Sequence, residues 1–178
     1  NCDQISYLGK DYPIIKDSYQ TVFSPQTAYQ MTSILEGVVK RGTAKKIKDL
    51  KLNIAGKTGT TNKNTDTWFI GFTSNLLIGV YVGSDNPVSL GKYETGSKTA
   101  LPIFKEFIKK VVKKSEARPF KAAKGTVMMV VDPITGQKAK FTSKNTIIEV
   151  YKKENVINGE VLYSNNDRLD VNNILKFY

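Results

Sequence analysis

The chain has 178 residues, 40% of them hydrophobic and 24% charged, and its 27 lysines and arginines outnumber 16 aspartates and glutamates for a net charge of +11. That length supports one compact domain, or one domain with a small appendage, and no apolar run approaches the roughly 20 residues that span a bilayer. The absence of histidine and the single cysteine, Cys2, exclude Ser-His-Asp and Cys-His catalytic groups, a His-ligated metal, a cysteine zinc cluster and an internal disulfide, so acyl-transfer chemistry would need Ser or Thr with Lys or a carboxylate.

Residues 1–20 are polar and irregular and read as a lead-in from something earlier. A helix follows. Ser24 is a good N-cap, Pro25 suits the first helical position, and Ala28, Met31, Leu35 and Val38 recur at helical spacing. Lys40 and Arg41 suit the negative end of its dipole, and Gly42 supplies the stop. Gly37 inside it costs up to about 1 kcal/mol against Ala and marks a close contact. Lys45 to Leu50 forms another turn or two.

From Leu52 the pattern becomes that of strands. Leu52 to Thr60, Thr67 to Thr73 and Leu76 to Gly83 are β-prone runs separated by a polar loop and by the turn Ser74-Asn75. Short connections make them an antiparallel meander, and apolar residues on both faces of the last two predict a sheet covered on both sides. After a loop from Ser84 to about Lys98, Pro102 opens a second helix with Ile103, Phe104, Phe107, Ile108, Val111 and Val112 on its apolar stripe. Beyond Arg118-Pro119, Gly125 to Val131 and Gln137 to Phe141 read as two strands joined by a turn-rich bridge. A weaker strand signal lies around Ile147 to Tyr151 in an Asn- and Lys-rich tail. Much of the positive charge falls on Lys109, Lys110, Lys113, Lys114, Lys121 and Lys124. Such a run is ordinarily a solvated face, and neither aromatic-Gly strand signatures nor zinc spacing accompany it to suggest nucleic acid.

Gly56-Lys57-Thr58 matches the end of a phosphate-binding loop, but that motif needs glycine where the chain has Lys51. Lys57-Thr58-Gly59-Thr60 is better read as a binding strand. A lysine ammonium offers fixed positive charge to a substrate carboxylate, which the Thr58 and Thr60 hydroxyls can share. Gly59, lacking a side chain, lets an extended peptide lie against the strand. Strand alternation puts Lys57 and Thr58 on opposite faces, so both reach one ligand only if the strand edge borders an open cleft.

The residues from Val22 to Phe107 resemble the C-terminal transpeptidase segment of class A penicillin-binding proteins. The resemblance runs through Ser24-Pro25-Gln26-Thr27-Ala28-Tyr29-Gln30-Met31, Gly42-Thr43-Ala44, Ala55 to Thr61, Asp66 to Thr73, Gly79 to Gly83, Leu90 to Gly96 and Pro102-Ile103-Phe104. Val127 to Gly136 resembles, more faintly, the small strand segment that follows that domain. The resemblance implies an α+β (α/β) fold of the serine β-lactamase and transpeptidase type, an antiparallel sheet flanked by helices. It divides the chain into a lead-in over 1–20, the C-terminal part of the transpeptidase domain over 21–116 and a small β-rich extension over 117–178. It implies Lys57, Thr58, Gly59 and Thr60 as substrate-binding residues, with the Thr60 backbone N–H in an oxyanion hole. The activity implied is cross-linking of peptidoglycan stem peptides through an acyl-serine intermediate, with β-lactams as inhibitors, no cofactor and no metal.

Two other family signatures occur as look-alikes. Ser89-Leu90-Gly91-Lys92 fits Ser-x-x-Lys and Ser84-Asp85-Asn86 fits Ser-x-Asn. In the family both precede Lys-Thr-Gly, and Ser-x-x-Lys starts a helix, which Gly91 disfavours. The expectation is therefore that no catalytic residue lies in this chain, and that the nucleophilic serine, its lysine, a membrane anchor and the remainder of the domain lie upstream. The parent protein would then sit in the bacterial cell envelope, on the periplasmic face of the inner membrane. Two alternatives stay open: a non-catalytic fragment, and a basic module that binds anionic cell-wall polymer through the lysines after residue 105.

Overall fold

A computed structural model describes residues 20–86, 88–113, 117–140 and 145–157, with the backbone of 5–6, 14–15 and 160–161. In chain order its elements are β1 (Ile5–Ser6), β2 (Ile14–Ile15), α1 (Pro25–Lys40), a 3₁₀ helix (Lys45–Leu50), β3 (Ala55–Thr60), β4 (Thr67–Phe72), β5 (Leu77–Val82), α2 (Ala100–Val111), β6 (Thr126–Val131), β7 (Ile147–Lys152), β8 (Val156–Ile157) and β9 (Glu160–Val161). The architecture is α+β: an antiparallel three-stranded sheet in the order β3-β4-β5, packed with helices, and small antiparallel pairs β1-β2, β6-β7 and β8-β9.

The first helix is built by its caps. Ser24, in extended conformation, accepts a hydrogen bond from the Thr27 N–H through its side chain, and Pro25 needs no intrahelical donor there. Gly42 ends the helix by close approach: a Cβ there would lie 2.9 Å from the Val38 Cα. Gly37 makes room for the Arg41 guanidinium, which crosses it to pair with Glu149 of β7. Gln26 and Gln30 donate to the carbonyls of Lys124 and Val150, so α1 also carries the β6-β7 hairpin.

One face of the sheet, with Thr67, Phe69, Ile78, Val80 and Val82, meets α2 and the 3₁₀ helix in the main core. Phe69, Ile47, Leu101, Phe104 and Ile108 are fully buried there, and Phe69 meets Phe104 edge-on at 4.7 Å between ring centroids. Helix α2 starts at Ala100, two residues before the expected Pro102. The proline thus falls within the first turn, where its missing N–H breaks no helical bond. Strand β3 begins at Ala55 rather than Leu52, because Lys51 turns the chain with φ 55° and Leu52 and Ile54 drop into the core.

Two expectations need correction. Among the described residues the sheet is fully covered on one face and only in part on the other. There Phe72 packs against Phe120, but Trp68, Ile70, Leu77 and Tyr81 are 42%, 47%, 69% and 49% exposed. The strand expected over Gln137–Phe141 is, in its described part, a single bridge from Lys138 to Val131, and Phe141 lies outside the described residues. The partner of β6 is instead β7, where Val150 is buried and Ile147 and Tyr151 pack on Met129 and Val131. No helix among the described residues is long and apolar enough to cross a membrane.

Candidate functional site

Strand β3 is an edge strand. It pairs in register with β4 from Ala55↔Phe72 to Thr60↔Thr67, and among the described residues no strand pairs with its other side. Beyond the last strand pair, the Thr61 N–H donates to the Asp66 carbonyl at 3.0 Å. Antiparallel pairs alternate between bonded and non-bonded, so Gly59 and Lys57 turn their peptide groups toward β4, and Thr58 and Thr60 turn theirs toward the open edge. The Thr60 N–H and the Thr58 carbonyl therefore line that edge.

The side chains divide by face and meet again at the edge. Thr58 and Thr60 lie on the α2 face, Lys57 and Gly59 on the uncovered one. The Lys57 ammonium folds round to donate to the Thr58 carbonyl at 3.0 Å. The Thr58 hydroxyl shares a hydrogen bond of 2.9 Å with that of Thr43, and Thr60 Oγ1 accepts from the Gly96 N–H at 3.1 Å. Each hydroxyl thus has one partner from a different part of the chain, and the Thr60 proton is left to donate. Gly59 backs onto Trp68, whose Cβ would stand 3.2 Å from an added side chain.

The end of the strand is held by its turn. Asp66 accepts hydrogen bonds from the Tyr81 hydroxyl at 2.8 Å and the Thr65 hydroxyl at 3.0 Å. Donation by Tyr81, then by Thr65 and Thr61, holds the Asp66 carboxyl below the usual carboxylate range, and the same bond pushes the Tyr81 phenol up. Lys63 and Asn64 take left-handed conformations, with φ 64° and 54°. Asn64 then clamps the loop after β5: its side chain donates to the Gly91 and Lys92 carbonyls, both at 2.9 Å, and its carbonyl accepts from Leu90 N–H. The clamp lays Gly96 against the backbone of Gly59 and Trp68.

The look-alike signatures sit in this clamped loop. Ser89 to Lys92 is not helical: Gly91 has φ 133°, and its N–H donates to Ser89 Oγ. Ser84 and Asn86 are exposed just after β5. Neither the loop serines nor their partners are brought to Lys57 by any hydrogen bond among the described residues. No cluster of three His, Cys, Asp or Glu side chains that could hold a metal occurs among those residues. Sequence reasoning missed Thr43 and Gly96 as partners of the motif hydroxyls, although both lie in stretches that carry the family resemblance.

The comparisons with known proteins agree in one direction. The profile of the penicillin binding protein transpeptidase domain matches residues 14–109. Penicillin-binding protein 1A of Rickettsia conorii is 41% identical over 160 residues, 89% of this chain and 20% of that protein. Penicillin-binding protein 1A of Pseudomonas aeruginosa is 38% identical over 145 residues, 76% of this chain and 18% of that one. The crystal structure of penicillin-binding protein 1A from Haemophilus influenzae superposes with a TM-score of 0.65 at 28% identity, covering 80% of this chain and 22% of that chain. The chain spans about a fifth of the length of the curated relatives it matches. On this evidence the chain belongs to the penicillin-binding protein transpeptidase domain family.

Proposed function

We propose that this chain supplies the substrate-carboxylate grip of a serine-type D-Ala-D-Ala transpeptidase that cross-links peptidoglycan, and that the reacting serine comes from outside it. The observation that carries this reading is the open edge of β3, where the Lys57 ammonium, the Thr58 and Thr60 hydroxyls and the Thr60 N–H converge. An extended stem peptide ending in D-Ala-D-Ala can add alongside β3, with its terminal carboxylate at Lys57 and the two hydroxyls. The Thr60 N–H then points where the oxygen of an attacked carbonyl gathers negative charge.

In this mechanism a serine hydroxyl, relieved of its proton by a lysine, attacks the carbonyl of the penultimate D-alanine. The C–N bond to the terminal D-alanine breaks, and that D-alanine leaves as a protonated amine. An amine of a neighbouring stem then attacks the acyl-serine, forms the cross-link and restores the hydroxyl. A β-lactam resembles the D-Ala-D-Ala end and stops at the acyl-enzyme. The remainder of the domain would cover the exposed apolar face at Trp68, Ile70, Leu77 and Tyr81 and pair with the outer edge of β5, which no strand among the described residues occupies. The whole protein would then work in the cell envelope, on the periplasmic side.

Labelled penicillin tests the reading. The whole parent protein should take up label, this chain alone should not, and Lys57→Ala in the whole protein should slow acylation by about 100-fold, as loss of a charged contact in the transition state does. Covalent labelling of Ser89 in the isolated chain, or normal acylation of the Lys57→Ala protein, would overturn it.

A further inference from the structure

The strongest concentration of charge in the fold is made by two segments far apart in sequence. Residues 45–51 carry Lys45, Lys46, Lys48 and Lys51, and residues 100–113 carry Lys105, Lys109, Lys110 and Lys113, with only Asp49 and Glu106 to oppose them. The fold joins them: Lys105 Nζ lies 2.7 Å from Asp49 Oδ2 and 3.0 Å from the Lys46 carbonyl. Lys105, with help from Lys109, holds the Asp49 carboxyl low, and Lys109 does the same to Glu106. Both carboxylates are thus already engaged by Lys105 and Lys109, at 2.7 and 2.8 Å. Lys45, Lys46, Lys48 and Lys51 are exposed, and no ion pair to them occurs among the described residues; Lys110, some 140° around α2 from Lys105 and beside Ile103 and Phe107, belongs to a different face.

We propose that this two-element lysine surface is a docking site for the carboxylate-bearing stem peptides of peptidoglycan, separate from the β3 edge. The proposal rests on the transpeptidase reading for its choice of polymer. Charge complementarity selects a polyanion. The chemistry around the lysines argues against a membrane. The 3₁₀ helix buries both its apolar residues, Ile47 and Leu50, and the exposed apolar stripe of α2 (Ile103, Phe107, Val111) lies some 120–160° around the helix from Lys105 and Lys109, so nothing apolar projects among these ammonium groups. Nor does an aromatic side chain stand among them on which a nucleic-acid base could stack. A field of this kind acts over about a Debye length, concentrating stem peptides near the domain rather than fixing one in place.

The test is co-sedimentation of the 178-residue chain with purified peptidoglycan sacculi across a salt series. Binding should weaken steeply with salt. Lys45→Gln, Lys46→Gln, Lys48→Gln and Lys51→Gln together should weaken it about sixteenfold, if each exposed charge contributes a factor of about two. Arginine at the same four positions should retain binding. A control with glutamine at Lys121, Lys124, Lys138 and Lys153 makes the same change in net charge and should bind nearly as the parent does. Sacculi stripped of their stem peptides by an amidase should not bind. Equal loss in the control set, persistent binding to stripped glycan, or preference for phosphatidylglycerol vesicles over sacculi would each overturn the proposal. None of these measurements involves acylation, so failure of the transpeptidase reading would show separately, in the penicillin labelling.

Discussion

Gly96→Ala is the perturbation whose consequence can be worked most fully. A Cβ at Gly96 would lie 2.4 Å from the Trp68 carbonyl oxygen, 2.7 Å from that of Gly59 and 3.3 Å from the Gly59 nitrogen. All three are backbone atoms of paired strands, so no side chain can swing aside, and either the loop lifts or the strands move. Overpacking of this kind costs about 1–3 kcal/mol. Lifting the loop also gives up the hydrogen bond from Gly96 N–H to Thr60 Oγ1, at about 1 kcal/mol. The sum of about 2–4 kcal/mol corresponds to a fall in melting temperature of roughly 5–15 °C for a chain of this size. Gly79→Ala is the matched control: its Cβ would meet only the Ile70 Cγ1, at 4.0 Å, and replacing a strand glycine there should be neutral or stabilising by up to about 1 kcal/mol. Thermal melts of the two variants decide the matter. A Gly96→Ala protein that melts with Gly79→Ala would refute the idea that this glycine sets the distance between loop and strand.

Phe104→Ala, which empties a fully buried site against Phe69, should cost about 3–5 kcal/mol in urea unfolding, and a loss under 1 kcal/mol would mean that α2 does not seal the core. Asp66 has a folded-state pKa below its unfolded one, so its contribution is present above the unfolded value of about 3.9 and fades as pH falls through the folded one. The stability difference between the parent and Asp66→Asn should therefore shrink between pH 6 and pH 3; a constant difference would show that ionised Asp66 does not brace the turn. Arg41→Ala removes an ion pair between partly exposed side chains and should change stability by no more than about 1 kcal/mol in the same assay.

What could be read from the sequence was what is decided locally. Ser24 and Pro25 announce α1 because capping is a contract among neighbours, and the turn at Ser74-Asn75 closes on Thr73 and Leu76, with the Thr73 N–H on the Leu76 carbonyl at 2.8 Å. Strand β7 was faint because Glu149 and Lys152 dilute its apolar alternation, and its burial comes from α1 and β6, more than a hundred and about twenty residues away. The two-faced apolar pattern of β4 and β5 predicted cover on both sides, yet Trp68, Ile70, Leu77 and Tyr81 stay exposed among the described residues. A pattern states a demand for cover, and not that this chain meets it. The motif residues themselves were legible by type and spacing. Their partners were not: the hydroxyls of Thr43 and Thr58 are 15 positions apart, and Gly96 and Thr60 are 36 apart, pairings that only the tertiary fold makes.

The two outer edges of the three-stranded sheet are chemically unlike, and the difference separates recognition from assembly. At β3 the edge carries Lys57 between two glycines, with threonines at the outward-turned peptides. A charged residue on an edge discourages indiscriminate pairing with another strand, while glycine leaves room for one backbone of the right kind. At β5 the run Leu77-Ile78-Gly79-Val80-Tyr81-Val82 has no charge and no proline, and Leu77 and Tyr81 stand exposed. Such a run has the composition of a strand that pairs strongly and without discrimination, and left open it is an aggregation hazard. An edge that binds and releases substrate needs the first chemistry, and an edge that is permanently covered by the rest of a domain tolerates the second. Leu77→Lys, at an exposed position of β5, should therefore improve the solubility of the isolated chain yet impair the whole protein, whereas Lys57→Ala should leave assembly intact and remove the grip. If Leu77→Lys left the whole protein's yield and melting temperature unchanged, β5 would not be an assembly edge.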